Sequence, residues 1–375
     1  MKTVTKCFIT AIVFMSLLLQ TGCWDQKQFE EIGFILQMGL ETGKHGKMLL
    51  SLTTPVVSPE AEKKAELLCT SSEKLIRSSR DMIRNSSGKL LQGGKIQIIY
   101  FSKELAEKGE LEEFFDVYFR DPENPLLANV VIVDGSPKEM MELSLDFKSK
   151  PRPAMYVNQL LMDARRRASA PEMRVYNFSI LKWSKTIDPV TPLVGYNKEA
   201  VNVEGSALFS GDKMVGVIDT DQTMLLNALM GKSGGEYTYR DSELDKSDQK
   251  IKKGAVISFK NTKPKIKIDT NDSSPVINIR LDINALLDEY SGIQNLDIEE
   301  NKEKLEEIFS ESIRTDILKL LKQLQSVDSD PIGFGEILRS TQNKYWKLID
   351  WKKVYGEAVL NVDVKLNIES YGTLK

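Results

Sequence analysis

KIQIIYFSKELAEKGELEEFFDVYFRDPENPLLANVVIVDG, residues 95–135, decides the architecture of the first half of this chain. KIQIIYF (95–101) is β-rich and apolar, and LLANVVIVDG (126–135) is a second such run. Between them, residues 103–120 favour helix. Ser102 stands where its hydroxyl can take an orphan amide of the first turn. Gly109 interrupts that helix and Asp121-Pro122 stops it. Two buried-type strands joined through a helix by short links predict a crossover and parallel pairing.

Working outward, QFEEIGFILQMGLE (28–41) and KMLLSLTTPVV (47–57) read as strands of a hairpin closed by the polar TGKHG (42–46). Residues 61–85 are charged and carry Leu68, Leu75, Met82 and Ile83 in approximate helical register, so a helix is expected there. On the other side SPKEMMEL (136–143) opens a short helix with Pro137 at its first position. Residues 148–200 change character. KSKPRPAMYVNQLLMDARRRA enters a helix through prolines, RVYNFSILKWSK (174–185) suits helix or strand, and the proline-punctuated TIDPVTPLVGYN (186–197) reads as loop.

From Ala200 the pattern is clearer. AVNVEGSALFS and KMVGVID flank Gly211-Asp212 as a hairpin, and Asp219/Thr220 cap DQTMLLNALM, with Gly231 placed as a left-handed terminator. Tyr237 and Tyr239 suggest a further strand. Ile266/Ile268, then Ile277/Ile279/Leu281/Ile283, then Leu360/Val362/Val364/Leu366/Ile368 alternate with polar residues. Period two predicts an antiparallel sheet covered on one face. Its cover is residues 299–325, where Leu305, Ile308/Phe309, Ser312/Ile313, Ile317, Leu320/Leu321 and Leu324 form one helical stripe.

The start of the chain fixes its destination. Lys2 and Lys6 precede the apolar Phe8–Leu19, which as helix spans about 18 Å against the roughly 30 Å of a hydrocarbon core. That is a secretion signal, not a membrane span. Thr21-Gly22 then admit a peptidase before Cys23, whose thiol is the candidate lipid-attachment site. Gln20 departs from the Leu usual three residues before such a cysteine.

The expected organisation is α+β (mixed α/β) and multi-domain. It comprises a signal peptide (1–22), an N-terminal βαβ-containing domain (23–148), a small middle domain or linker module (149–200) and a C-terminal domain (201–375). The formal charge of −3 becomes −5 once Lys2 and Lys6 leave, which disfavours nucleic acid as a partner. With Cys7 removed and Cys23 acylated, Cys69 has no disulfide partner and is expected to be buried.

Catalytic sets are thin. His45 is the one histidine and falls in a predicted turn, too little for a histidine metal cluster or a nucleophile–base triad. Gly231-Lys232-Ser233 resembles a phosphate loop only in part, since Leu226 occupies the required glycine position. Gly333-Phe334-Gly335 reads as a tight helix opening. Arg165-Arg166-Arg167 reads as a solvated helix face, the alternative being docking to lipid headgroups or an acidic partner, and Glu299/Glu300, being adjacent on a helix, do not converge. No catalytic residue, cofactor or metal ligand is assigned, and the chain is read as not an enzyme.

Several stretches together resemble one family, the C subunit of the spore germinant receptors (Ger(x)C), a membrane lipoprotein group. They are Gly22-Cys23-Trp24-Asp25, the segment 95–143 with its Arg-Asp-Pro-Glu turn, EGSALFSGDKMVGVID (204–219), and DPIGFGEILRSTQNKYWKLIDW (330–351) with the alternating strand that follows. The resemblance implies several mixed α/β domains and a lipid on Cys23. It also implies integral-membrane partners of A and B type, in the spore inner membrane with the body on its outer face, and a role in nutrient-triggered germination. The competing reading is a solute-binding lipoprotein that captures the germinant itself.

Overall fold

The structure, a computed structural model, describes residues 31–56, 65–72, 76–147, 149–240, 254–270, 274–292 and 295–370, with 5, 6, 8, 9 and 15. Most of the expected secretion signal, and Cys23, therefore lie outside the described residues. β1 (Ile32–Phe34) leads into the hairpin of β2 (Gln37–Thr42) and β3 (Met48–Pro55), whose turn holds His45 at φ 58°. β4 (Ala65–Ser72) continues antiparallel on β3. α1 (Ile76–Ser87) follows, then β5 (Leu90–Gln92), which pairs in parallel with β1. Helix was expected across 61–85. Ala-Glu-Leu-Leu at 65–68 favours helix locally, but pairing along the open edge of β3 wins, with Leu68 packed toward one core and Leu67 toward the other.

β6 (Ile98–Ser102), α2 (Lys103–Lys108), α3 (Leu111–Arg120) and β7 (Asn129–Val133) realise the segment 95–135. Ser102 caps α2 by accepting the Leu105 amide, and Gly109 ends it at φ 73°. β6 lies parallel to both β2 and β7. α4 (Pro137–Ser144), α5 (Pro153–Arg166) and α6 (Val175–Leu181) come next. β8 (Val190–Tyr196), β9 (Val201–Ser210) and β10 (Lys213–Ile218) then complete an eight-stranded sheet of order β10-β9-β8-β7-β6-β2-β3-β4. It draws strands from all three stretches 23–148, 149–200 and 201–375.

β8 corrects the loop reading of 186–197. Pro192 argues against an inner strand because it has no N–H to give. Here β8 pairs with β7 only through Leu193 and Val194, beyond the proline, while Pro192 faces Ser206 of β9, just before a register shift between Leu193 and Val194. The missing donor falls where no β7 partner needs it.

α7 (Thr220–Leu229) is capped by Asp219 as expected, Gln222 completes a capping box with it, and Gly231 follows at φ 75°. Beyond it lie β11 (Glu236–Arg240), β12 (Gly254–Asp269), β13 (Val276–Tyr290) and α8 (Glu299–Ser326). The short α9 (Phe334–Thr341), α10 (Asn343–Trp346) and α11 (Trp351–Tyr355) precede β14 (Val359–Ser370). The second sheet runs β11-β12-β13-β14. The alternating residues face α8, whose Leu305, Phe309, Ile313, Ile317, Leu320, Leu321 and Leu324 are buried, each contributing roughly 2 kcal/mol of apolar burial. One correction applies: β14 pairs parallel to β13. Period two reports which face is covered. Direction is set by the connection, and α8 returns the chain to the start of β13 before β14 begins.

Residues 223–229 of α7 are all buried. The helix packs on β9 of the large sheet and on β12 and α8 of the second. One apolar cluster accordingly includes Val190, Leu208 and Ile218 together with Ile257, Ile279 and Phe309. Leu225→Ala should lower the unfolding free energy by about 2–5 kcal/mol, because α7 has no free face onto which to relax. Calorimetry should show a single transition moving down. Two separate transitions, one unmoved, would show that the sheets melt independently.

Candidate functional site: a buried carboxylate joint

Asp330 and Asp188 are the most deeply buried converging acids among the described residues, at 1% and 3% exposure. Asp330 stands three residues before the opening of α9. Its Oδ1 accepts the amides of Gly333 (2.8 Å) and Phe334 (3.0 Å), and its Oδ2 accepts the Gly335 amide (2.8 Å) and Trp351 Nε1 (3.1 Å). One carboxylate thus satisfies the orphan N–H groups of a helix start, where negative charge is favoured. Gly333, at φ 83°, makes the bend that turns those amides inward. Gly335 must stay bare, since a Cβ there would lie 2.7 Å from Trp351 Nε1.

Asp188 locks the other side. It accepts the Gly211 amide (3.0 Å), the Asp330 amide (2.8 Å) and Lys352 Nζ (2.5 Å), and its own amide donates to the Asp330 carbonyl (3.0 Å). Lys352 also donates to Ser210 Oγ and the Asp328 carbonyl, and Ser329 Oγ donates to the Phe209 carbonyl at 2.7 Å. Trp351, Tyr355 and Phe334 pack over the joint, with ring centroids 5.4 Å apart for Trp351–Tyr355 and 6.2 Å for Phe334–Tyr355. The Tyr355 hydroxyl is buried without a hydrogen-bond partner, and burial with the nearby carboxylates drives its pKa far up.

Both Asp330 oxygens are engaged by protein donors and the group is sealed, so this geometry ties segments together and offers no face to a substrate. Burial pushes the Asp330 carboxyl up to about 6, and the four donors, which favour the charged form, limit the rise.

The other sequence-nominated residues behave differently. His45 is exposed in its turn, and Gly231 ends α7 without forming a phosphate cradle. The arginine run divides. Arg166 is exposed and pairs with Asp163, whereas Arg165 turns inward and donates to Asn129 Oδ1 at 2.5 Å. Asn129 Nδ2 reaches Asn158, and Asn158 reaches Gln97, so Arg165 ends a polar chain beneath the strand starts. Its reading as solvated is corrected. Cys69 is exposed where burial was expected, because β4 is an edge strand; its Sγ donates to Ser51 Oγ at 3.3 Å, and partial desolvation raises the thiol pKa.

Asp188 and Asp330 were not anticipated. Asp-Pro-Ile-Gly-Phe-Gly does carry a signal, an acid just ahead of glycines at a helix opening. Its distant partner Asp188 carries none. The remaining concavities are shallow: a cup of about 360 Å³ is lined by Leu160, Arg167, Ser169, Thr220, Asp221 and Glu236, among others. Among the described residues no group of His, Cys, Asp and Glu is placed to hold a metal, and no helix is long and apolar enough to cross a membrane.

Folded Asp330 titrates near 6 and an unfolded aspartate near 4, so between those values the folded chain holds the extra proton and stability falls as pH rises. Relative to Asp330→Asn, which does not titrate, the wild-type unfolding free energy should therefore drop between pH 4 and 6, by up to about 3 kcal/mol, and level off above. Denaturant titrations across that window check this. A constant or widening difference would contradict it.

Comparison with known proteins divides the chain close to this joint. The family model described as "Spore germination protein N-terminal domain" matches residues 25–196, and "Spore germination B3/ GerAC like, C-terminal" matches residues 204–372. Asp188 lies in the first match, and Gly211, Asp330 and Lys352 lie in the second. Spore germination protein GerQC of Bacillus cereus is 22% identical, covering 94% of this chain and 95% of that protein. Spore germination protein B3 of Bacillus subtilis (strain 168) is also 22% identical, over the full length of both. The crystal structure of the GerBC protein shares the fold, with a TM-score of 0.57 at 15% identity, covering 88% of this chain and 96% of that one. The chain belongs to the Ger(x)C family of spore germination proteins.

Proposed function

We propose that this chain is the lipid-anchored, non-enzymatic C subunit of a spore germinant receptor, acting with integral-membrane subunits of A and B type in nutrient-triggered germination. The observation that carries the reading is the joint match of both family models to one chain whose Phe8–Leu19 apolar run, read as a secretion signal, leads to Gly22-Cys23-Trp24-Asp25. A diacylated Cys23 supplies a stable anchor, since each buried methylene contributes about 0.8 kcal/mol and two chains hold where one is marginal. The body then sits on the outer face of the spore inner membrane. Its most buried polar groups are spent on internal ties, which favours action by contact.

A second reading, direct capture of a small zwitterion, draws on the cup that sets Arg167 near Asp221 and Glu236. Saturable heat from germinant amino acids in calorimetry of the full chain would favour it.

Labelling with a palmitate analogue should tag the wild-type chain and not Cys23→Ala. In mild detergent the wild type should co-purify with the two membrane subunits. A chain that takes no label, or that never associates with those subunits, overturns the proposal.

A further inference from the structure

The body carries a cluster of bare apolar side chains at one edge. Leu127, Ile180 and Trp183 are 67%, 66% and 67% exposed, and Leu126 and Tyr176 are each 39% exposed. Tyr176, Ile180 and Trp183 recur at i, i+4 and i+7, so α6 and the turn after it present them on one face. The Tyr176 amide donates to the Leu126 carbonyl at 3.1 Å, and Arg174 Nη1 donates to the Leu127 carbonyl at 2.8 Å, which joins loop and helix into one surface. Lys182 Nζ stands 5.3 Å from the Trp183 ring centroid, a cation over an aromatic beside the patch.

The position of this surface is what gives it meaning. A backbone relay crosses the starts of the parallel strands: Gln97 donates to Leu36, Asn129 to Gln97, and Asn129 bridges to Arg174. Leu36 lies two residues past the end of β1, near where the described body begins. At about 4.8 Å per strand, the apolar cluster lies roughly 10–15 Å along the same edge. Arg80, hydrogen-bonded to Asp121 and Asn124, ties the loop leading to Leu126 to the neighbourhood of β5, the partner of β1.

From Cys23 to Ile32 the chain can reach at most about 30 Å. A body of this size is about 50 Å across. An anchor at Cys23 therefore keeps this edge near the bilayer and holds the opposite edge out of reach. Trp and Tyr with flanking Lys and Arg is also the side-chain chemistry of a membrane interface.

We propose that Leu126, Leu127, Tyr176, Ile180 and Trp183 form a second, non-covalent contact with the lipid surface, orienting the body on its tether. The inference rests on the reading of Cys23 as the lipid-bearing residue.

The test uses the full-length acylated chain, carrying Cys69→Ser, in vesicles of phosphatidylethanolamine and phosphatidylglycerol. Spin labels are placed at Leu127→Cys or Ile180→Cys, and at Lys198→Cys on the opposite edge as reference. Labels at 127 and 180 should meet oxygen far more often than a water-soluble nickel chelate, by a ratio several-fold that at 198. Labels at 127 and 180 as open to the chelate as 198 overturn the proposal, and labels closed to both reagents overturn it in favour of a second copy covering the patch. Flotation separates the two claims. A chain that fails to float with the vesicles refutes the anchor and this inference with it, whereas one that floats with chelate-open labels refutes the inference alone.

Discussion

A single buried carboxylate holds the two halves of this molecule in register. Asp330 gathers three consecutive backbone amides and an indole N–H, and its own backbone exchanges hydrogen bonds with Asp188 more than a hundred residues earlier. Removing a charged acceptor from water is costly, and only this full set of donors makes the burial tolerable. Because the donors belong to residues matched by one family model and Asp188 to residues matched by the other, the joint cannot form in either part alone. α7 adds the apolar counterpart, wedged between the large sheet and the second sheet with residues 223–229 all buried.

Much of this was legible in the residues. The crossover at 95–135, the hairpins around 42–46 and 211–212, the cap at Asp219 and the stripe of α8 follow from patterns that are local or of short period. What escaped has a common cause. β4 and β8 take their conformation from the strands they pair with, β3 for β4 and β7 and β9 for β8, so Ala-Glu-Leu-Leu and Pro192 mislead when read by propensity. The direction of β14 is a property of the chain's path, to which alternation is blind. Arg165 and Asp188 are polar residues whose partners, Asn129 and Asp330, come into view only once the strands are assembled.

For the proposed role, the tether and the body divide the work. Cys23 would fix where the chain operates, and the joint would make the body respond as a unit, so that a contact made on one sheet is felt by the other. A protein acting through contact needs that stiffness more than it needs a pocket. The apolar edge beside the chain's point of attachment adds orientation, since a tether alone leaves a body free to rotate. With the cluster seated on lipid, the second sheet and its long helix would face a defined direction, available to membrane partners.

The measurement that bears most directly on the joint is amide hydrogen exchange of the intact chain under native conditions. If Asp330 secures the two halves, amides 333–335 and 211 exchange as slowly as the inner strands β8 and β13, opening only with global unfolding. Exchange of 333–335 well ahead of both strands would show that the carboxylate joint opens on its own and does not hold the molecule together.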